Sequence, residues 1–285
     1  MTDPIVVGVD GSGRSLRALV WAAHEAVLHH CALRIIHVLH REHVYASTPA
    51  VRAREASSRD RGVVAEAAAI ARESHPELEV MTDLPTGAPA AVLLTESEHA
   101  HTVVLGAKGM GGFGSLLLGS VALQVVGHAA SPVVVVNHLA TGHRRIVVGV
   151  DGSAHSRAAL AHAFQEASLR GAQLQALHAW SYPGPEAVVS AVRDAAAEEH
   201  RQSLEEWLGP LRETHAGVEV VEELTHEDPI LALARASDRA DLMVVGSRGR
   251  GGFRGLALGS VSHALLQFSQ CPLAVVRPSL RPVPD

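Results

Sequence analysis

Two glycine-rich segments carry the residues best suited to chemistry. Gly106–Val121 reads GAKGMGGFGSLLLGSV and Gly246–Val261 reads GSRGRGGFRGLALGSV, identical at ten of sixteen positions. Both keep a glycine, two residues, a glycine, nine residues and then Gly-Ser. Glycine lets another group approach the backbone closely and tolerates positive φ, and the main-chain N–H groups of such loops wrap phosphates. A second pair of segments is repeated without change: Ile5–Ser12 and Ile146–Ser153 both read IVVGVDGS. Each places one aspartate, Asp10 or Asp151, directly after an apolar run. The chain therefore holds two copies of one module, and the chemistry implied is capture of a phosphate-bearing ligand by backbone amides.

The elements that must position these segments follow from hydrophobic pattern and punctuation. In the first half, strands are expected at Ile5–Val9, Leu33–Val38, Glu79–Leu84, Thr102–Leu105 and Val133–Val136, with helices near Ser15–His29, Val51–Ser74, Ala90–His99 and Ser120–His128. In the second half, strands are expected at Ile146–Val150, Gln173–Ala179, Val218–Leu224, Leu242–Val245 and Leu273–Val276. Its helices belong near Ser156–Arg170, Pro185–Glu213, Pro229–Ser237 and Ser260–Phe268. Asp228-Pro229 reads as a helix start, aspartate as N-cap and proline at the first helical position. Strands separated by helix-length segments mean right-handed crossovers and a parallel sheet. Runs such as Val133–Val136 lack polar alternation, as strands covered on both faces do. The expected domains are residues 1–140 and 143–285, joined by a linker within His138–Arg144.

Ligands of such α/β sheets bind beyond the carboxyl ends of the strands, where strand order reverses. GVDGS leaves the first strand of each half and the glycine loop leaves the fourth, so the two meet at one cleft if those strands are neighbours. The loop then enters a helix at Ser120 or Ser260, whose free N–H groups and dipole favour an anion. No GK[ST] ends either loop, so it is not a P-loop. GxGxxG matches at Gly109, Gly111 and Gly114 but is broken by Arg254 in the second copy, and it follows the wrong strand for a dinucleotide fingerprint.

The 285 residues include 47% hydrophobic, 19% charged and only 3% aromatic ones, so the cores are built from aliphatic side chains. A net charge of −6 argues against a nucleic-acid or anionic-membrane binder. Cys31 and Cys271 are not at equivalent positions and show no metal spacing, so neither disulfide nor metal site is expected. The start of the chain lacks a signal-peptide pattern and no apolar run is long enough to span a bilayer. A cytoplasmic location is the expectation.

The duplicated Gly-x2-Gly-x9-Gly-Ser loop, paired with GVDGS, resembles the universal stress protein family, and more narrowly its tandem-domain actinobacterial members. The resemblance spans almost the whole chain. It implies two tandem doubly wound domains, each a five-stranded parallel sheet in the order 3-2-1-4-5, of the Rossmann-like, adenine-nucleotide alpha-hydrolase-like kind. It also implies ATP as ligand, with Mg2+ as an accompanying ion. Carried over by position, the first site comprises Gly8, Asp10, Val38, Gly106, Lys108, Gly109, Gly111, Gly112, Gly119, Ser120 and Val121. The second comprises Gly149, Asp151, Ala179, Gly246, Arg248, Gly249, Gly251, Gly252, Gly259, Ser260 and Val261. Backbone near Val38 and Ala179 would face adenine. Whether each aspartate meets ribose, adenine or a phosphate-bound metal, or only caps a helix, stays open.

The expected function is an ATP-binding, nucleotide-responsive stress module. The alternative is a slow ATPase or nucleotidyl-transfer enzyme, which would need a nucleophile and charge-stabilising groups that the repeats do not supply; no catalytic residue is assigned. The nineteen histidines are scattered and their pairs are not repeated, so they read as packed or exposed residues rather than ligands. Arg248, Arg250 and Arg254 stand where the first loop has Lys108, Met110 and Gly114, which makes the second site the tighter one for triphosphate. His101 stands where the second half has Asp241, an acidic position in the resembling family. The apolar fifth strands would be hazardous if left as open edges, so association of the halves through such edges and a homodimer are expected.

Overall fold

The computed structural model describes residues 3–39, 49–109, 118–139, 142–180, 190–251 and 256–278. They belong to two compact units, Met1–Leu139 and Ala140–Asp285. In the first, β1 (Ile5–Gly8), α1 (Gly13–Leu28), β2 (Leu33–Ile36), α2 (Pro49–Ser74), β3 (Val80–Asp83), α3 (Pro89–Glu96), β4 (Thr102–Gly106), α4 (Ser120–His128) and β5 (Val133–Val136) follow one another. The strands stand in the order β3-β2-β1-β4-β5, and every pairing among them is parallel. Ile5 sits opposite Leu33 on one side and Thr102 on the other, so β1 and β4 are neighbours at the reversal of strand order.

The second unit repeats this plan with β6 (Arg145–Gly149), α5 (Ala154–Arg170), β7 (Gln173–Ala179), α6 (Ser190–Thr214), β8 (Val220–Thr225), α7 (Pro229–Ser237), β9 (Leu242–Gly246), α8 (Ser260–Phe268) and β10 (Leu273–Val276). Its parallel order is β8-β7-β6-β9-β10.

Aliphatic strands form because β-branched side chains pack well on a pleated, covered surface. Ile5, Val7, Val103 and Val104 are fully buried, as are Ile146, Val147 and Val244. β3 turns Met81 and Thr82 outward, as an edge strand can. Helix α1 buries Ala18, Leu19, Ala22, Ala23 and Ala26 on one side, small residues that let the helix lie close to the sheet. α5 does the same around Phe164, the largest fully buried side chain among the described residues. Both helices start from a serine cap: the Ser12 hydroxyl accepts from Ser15 N–H at 3.2 Å and Ser153 from Ser156 N–H at 3.1 Å. Asp228 caps α7 as expected, accepting from the amides of Ile230 and Leu231 with Pro229 behind it.

Several boundaries move from those expected. β2 stops at Ile36 instead of Val38, because its neighbour runs into Pro85, which has no N–H to donate; beyond it only an isolated Leu39–Thr86 bridge remains. β3 is correspondingly shorter than Glu79–Leu84. α3 ends at Glu96 and is followed by a 3-10 turn, Ser97–His99. α1, α2 and α5 start two residues earlier than read, and β8 starts at Val220. The expected helix over Pro185–Glu213 is seen from Ser190 to Thr214, and residues 185–189 lie outside the described residues. Asp241 also finds a role. Its carboxylate accepts from the amides of Gly142, His143 and Arg144 and so fixes the entry into β6. At the matching place in the first domain, His101 donates its own amide to Pro4 and contacts the Thr102 hydroxyl.

Candidate functional site

In the first domain, a cleft of about 700 Å³ opens where β1 and β4 part. Its floor is Gly8, Val9 and Asp10 on one side and Gly106, Ala107, Lys108 and Gly109 on the other. Ile36 at the end of β2 and Val38 beyond it, with Ala90 and Leu93 of α3, supply an apolar wall, and Gly119, Ser120 and Val121 close the far end. The volume suits a ligand of nucleotide size. The glycines are required by proximity. A Cβ on Gly8 would lie 2.7 Å from Leu105 Cδ2, one on Gly106 would lie 2.9 Å from the Arg14 backbone, and one on Gly109 would collide with Asp10 Oδ2. Gly11, in the turn after Asp10, takes a positive φ of 82°, and Gly152 after Asp151 one of 78°.

The second domain repeats these approaches, except that the nearest neighbour of its first glycine is Leu233, the counterpart of Leu93, not the counterpart of Leu105. A Cβ on Gly149 would meet Leu233 at 3.0 Å, one on Gly246 the His155 backbone at 2.7 Å, and one on Gly249 would collide with Asp151 Oδ2. Gly119 and Gly259 each come within 3.3 Å, at Cβ distance, of the Cα of Lys108 and Arg248. The amides of Gly119 and Gly259 donate to the carbonyls of Ala107 and Ser247 at 2.7 and 2.8 Å, which folds each loop back on its own start. α4 and α8 thus begin at Gly119 and Gly259, neither with a side-chain cap. The two helices that border the glycine loops are left open at their N-termini, whereas α1, α5 and α7 are closed by Ser12, Ser153 and Asp228.

The aspartates are committed to the backbone. Asp10 Oδ1 accepts from Ser12 N–H at 2.9 Å. Asp151 Oδ1 accepts from Ser153 N–H at 2.9 Å, and Oδ2 from Arg250 N–H at 2.9 Å. Burial works to raise the Asp151 carboxyl, but hydrogen bonds from Ser153, Ser156 and the Arg250 amide outweigh it and hold it below the ordinary carboxylate range. The helix caps are the serines, so Asp151 instead ties the turn after β6 to the glycine loop after β9.

Matching glycine contacts at the ends of the first and fourth strands thus stand in both domains, opening onto a cleft in the first. The family model described as the universal stress protein family matches residues 1–137 and again 142–277. The chain belongs to the universal stress protein family. A universal stress protein of Mycolicibacterium smegmatis is 37% identical, with 96% of this chain and 97% of that protein covered. One from Mycobacterium tuberculosis is 35% identical over the same shares of both chains. A solved universal stress protein from Archaeoglobus fulgidus has the same fold, with a TM-score of 0.70 at 21% identity and 98% and 99% of the two chains covered.

Within this universal stress protein, the structure brings Gly8, Asp10, Val38, Gly106, Lys108, Gly109, Gly119, Ser120 and Val121 to one cleft. Gly149, Asp151, Ala179, Gly246, Arg248, Gly249, Gly259, Ser260 and Val261 occupy the matching ends of β6, β7 and β9 and the start of α8. Gly251 is exposed with nothing within 4 Å of a Cβ. Gly111, Gly112 and Gly252 lie outside the described residues, as do Met110, Gly114 and Arg254. Sequence reasoning missed two features. His37 Nδ1–H donates to Val9 O at 2.8 Å while its Nε2 faces Asp60 Oδ1 at 3.2 Å. The matching His178 donates to Val150 O at 2.6 Å, and its Nε2 faces His200 Nδ1 at 2.9 Å. Around that pair stand Trp180, stacked 4.6 Å from His200 and touching His226, and Trp207, edge-on to His178 with the Arg250 guanidinium 5.4 Å over its ring. Aligning the two halves residue by residue pairs His37 with His178 and Asp60 with His200, which is the signal that would have exposed this difference.

Proposed function

We propose that each domain binds one adenine nucleotide, ATP in the first instance, and that the protein acts as a nucleotide-responsive binding module. One observation carries this reading. In both domains the glycine loop at the strand-order reversal ends on a helix whose N-terminal cap is a glycine without a side-chain hydrogen bond, and in the first domain a cleft opens there. Phosphate oxygens would take the place of the missing cap. The apolar wall of Ile36, Val38, Ala90 and Leu93 would hold the base, as small-molecule sites combine apolar walls with a few convergent polar groups.

The same geometry favours binding over turnover. A general base works best with its pKa near the operating pH, and the Asp151 carboxylate, pulled low by backbone donors, is a poor one. Mg2+ would arrive with the nucleotide and sit on its phosphates. The edge strands and a homodimer built through them form part of this proposal, with cytoplasmic residence; among the described residues no helix is long and apolar enough to cross a membrane.

Calorimetric titration with ATP, alongside mass spectrometry of small molecules released on heat denaturation, provides the test. Two ATP per chain without steady phosphate release is the expected result. Absence of any heat with ATP, ADP or AMP on a ligand-free chain would overturn the proposal, and sustained turnover would replace it with the enzyme reading.

A further inference from the structure

In the second domain, rings from α6 and one guanidinium cover the turn after β6. Helix α6 presents His200, Leu204, Trp207 and Leu208 on one face, at the spacing that stacks side chains along a helix. Leu204 and Leu208 are fully buried there. Trp207 lies directly on Gly152: an added Cβ would collide with Trp207 Cζ2 and stand 2.6 Å from Arg250 Nη2. The Arg250 guanidinium lies 5.4 Å over the Trp207 ring, and the Arg250 amide donates to Asp151 Oδ2 at 2.9 Å. The glycine loop after β9 is thus fastened to α6 by a cation–π contact and to the turn by a hydrogen bond. The matching positions of the first domain hold Ala67 for Trp207 and Met110 for Arg250, and there Gly11 faces Val63 at 3.2 Å.

A histidine pair holds Trp207 in this place. His178 is edge-on to it, ring centroids 5.4 Å apart, and His200 stacks on Trp180. The Val150 carbonyl can only accept, so His178 Nδ1 carries the hydrogen of that 2.6 Å bond, and its Nε2 accepts from His200 Nδ1–H at 2.9 Å. One added proton can be shared along this contact, but two set donor against donor. Arg250 and His226 bring further positive charge from the loop after β9 and from the end of β8, while Asp151 after β6 and Glu199 on α6 oppose it. Burial above all pulls both rings below the ordinary imidazole range, so the pair is neutral at pH 7. We propose that Trp207 and Arg250 form a latch on the glycine loop of the second domain, released when the His178–His200 pair takes up protons. As the pair charges, at pH values below about 6.5, His200 parts from His178, Trp207 leaves Gly152, and Arg250 loses both its ring and its hold on Asp151. In the first domain Asp60 stands in place of His200, 3.2 Å from His37 Nε2, and a carboxylate accepts from a protonated ring. Acid therefore loosens the second glycine loop and not the first. Only the effect of this on nucleotide affinity rests on the nucleotide reading above.

The experiment follows hydrogen exchange amide by amide on the ligand-free full chain at pH 7 and pH 5. The chain is taken as wild type, H200D and R250M, the two variants installing the first domain's residues. Protection factors, which remove the intrinsic pH dependence of exchange, are compared for two amides on the same carboxylate. Arg250 N–H donates to Asp151 Oδ2 and Ser153 N–H to Oδ1. In wild type the Arg250 amide should lose about tenfold in protection on going to pH 5, the loss of one hydrogen bond to a charged acceptor, while Ser153 holds its value. H200D should keep the residue-250 amide protected at both pH values, and R250M should show the low value at both. Protection of Arg250 that does not change with pH in wild type overturns the proposal. So does an equal fall in H200D or R250M, or an equal fall at Ser153, which would place the change in Asp151 itself. At pH 5, calorimetry should show ATP bound at one site of wild type about tenfold more weakly than in H200D. The expected exchange pattern in a chain that binds no nucleotide would keep the latch and sink only the nucleotide reading.

Discussion

Replacing Gly249 with alanine tests the claim that the glycine loop is closed by an aspartate. The new Cβ would collide with Asp151 Oδ2, so the carboxylate has to withdraw from the loop. Withdrawal breaks the 2.9 Å bond from Arg250 N–H while leaving the Ser153 N–H bond to Oδ1 in place. A hydrogen bond to a charged acceptor contributes about 1.5–3 kcal/mol. Arg250 is exposed, which favours the lower end, about 1.5 kcal/mol or roughly tenfold in affinity. Gly217→Ala, outside either site, is the control, since nothing lies within 4 Å of its Cβ; a substitution of that kind changes stability by less than about 0.5 kcal/mol. Titration of the full chain with ATP should show one site unchanged and one weakened about tenfold in G249A, with both sites intact in G217A. Hydrogen exchange at the Arg250 amide, which needs no nucleotide, should accelerate in G249A alone. Equal behaviour of the two variants would refute the aspartate clamp.

Three further outcomes follow from the same structure. Against the pull of the Val150 carbonyl and then Asp151 at His178, and of Glu199 at His200, burial first and neighbouring positive groups after it depress the pKa values of His178 and His200. Their contribution to stability is therefore complete above the unfolded value of about 6.5 and is lost as pH falls below it; H200D, which installs the carboxylate found at Asp60, should flatten the melting-temperature profile of the second domain between pH 7 and 5. His30 takes a left-handed φ of 52° at the end of α1, where Gly171 ends α5 at 55°; H30G should raise the free energy of unfolding by about 1 kcal/mol, measured by urea titration. The Cys271 thiol is pushed up to about 12, mainly by burial, so native protein at pH 8 should leave it unmodified by an alkylating reagent that labels it on unfolding.

The repeats and apolar runs made the fold legible, because strand and helix placement here depends on local composition: Val133–Val136 has no other reading than a buried strand. Positions one or two residues inside boundaries were less legible, since β2 ends where Pro85, just past the end of β3, withholds a donor. The glycine contacts were half legible. Their spacing marked the loop, but whether positive φ or close approach demanded each glycine depended on Asp10, Asp151, Arg14 and His155, all distant in sequence.

The glycines at the starts of α4 and α8 have a consequence for how ligand and protein influence each other. A helix that lacks its own cap borrows one, so a bound phosphate would serve as its removable first residue. Binding the phosphate and ordering the first turn of the helix would then be the same equilibrium. At a ligand concentration a hundredfold above Kd, that linkage adds about 2.7 kcal/mol to the folded state, enough for a cell's nucleotide level to be sensed as the stiffness of two helix ends.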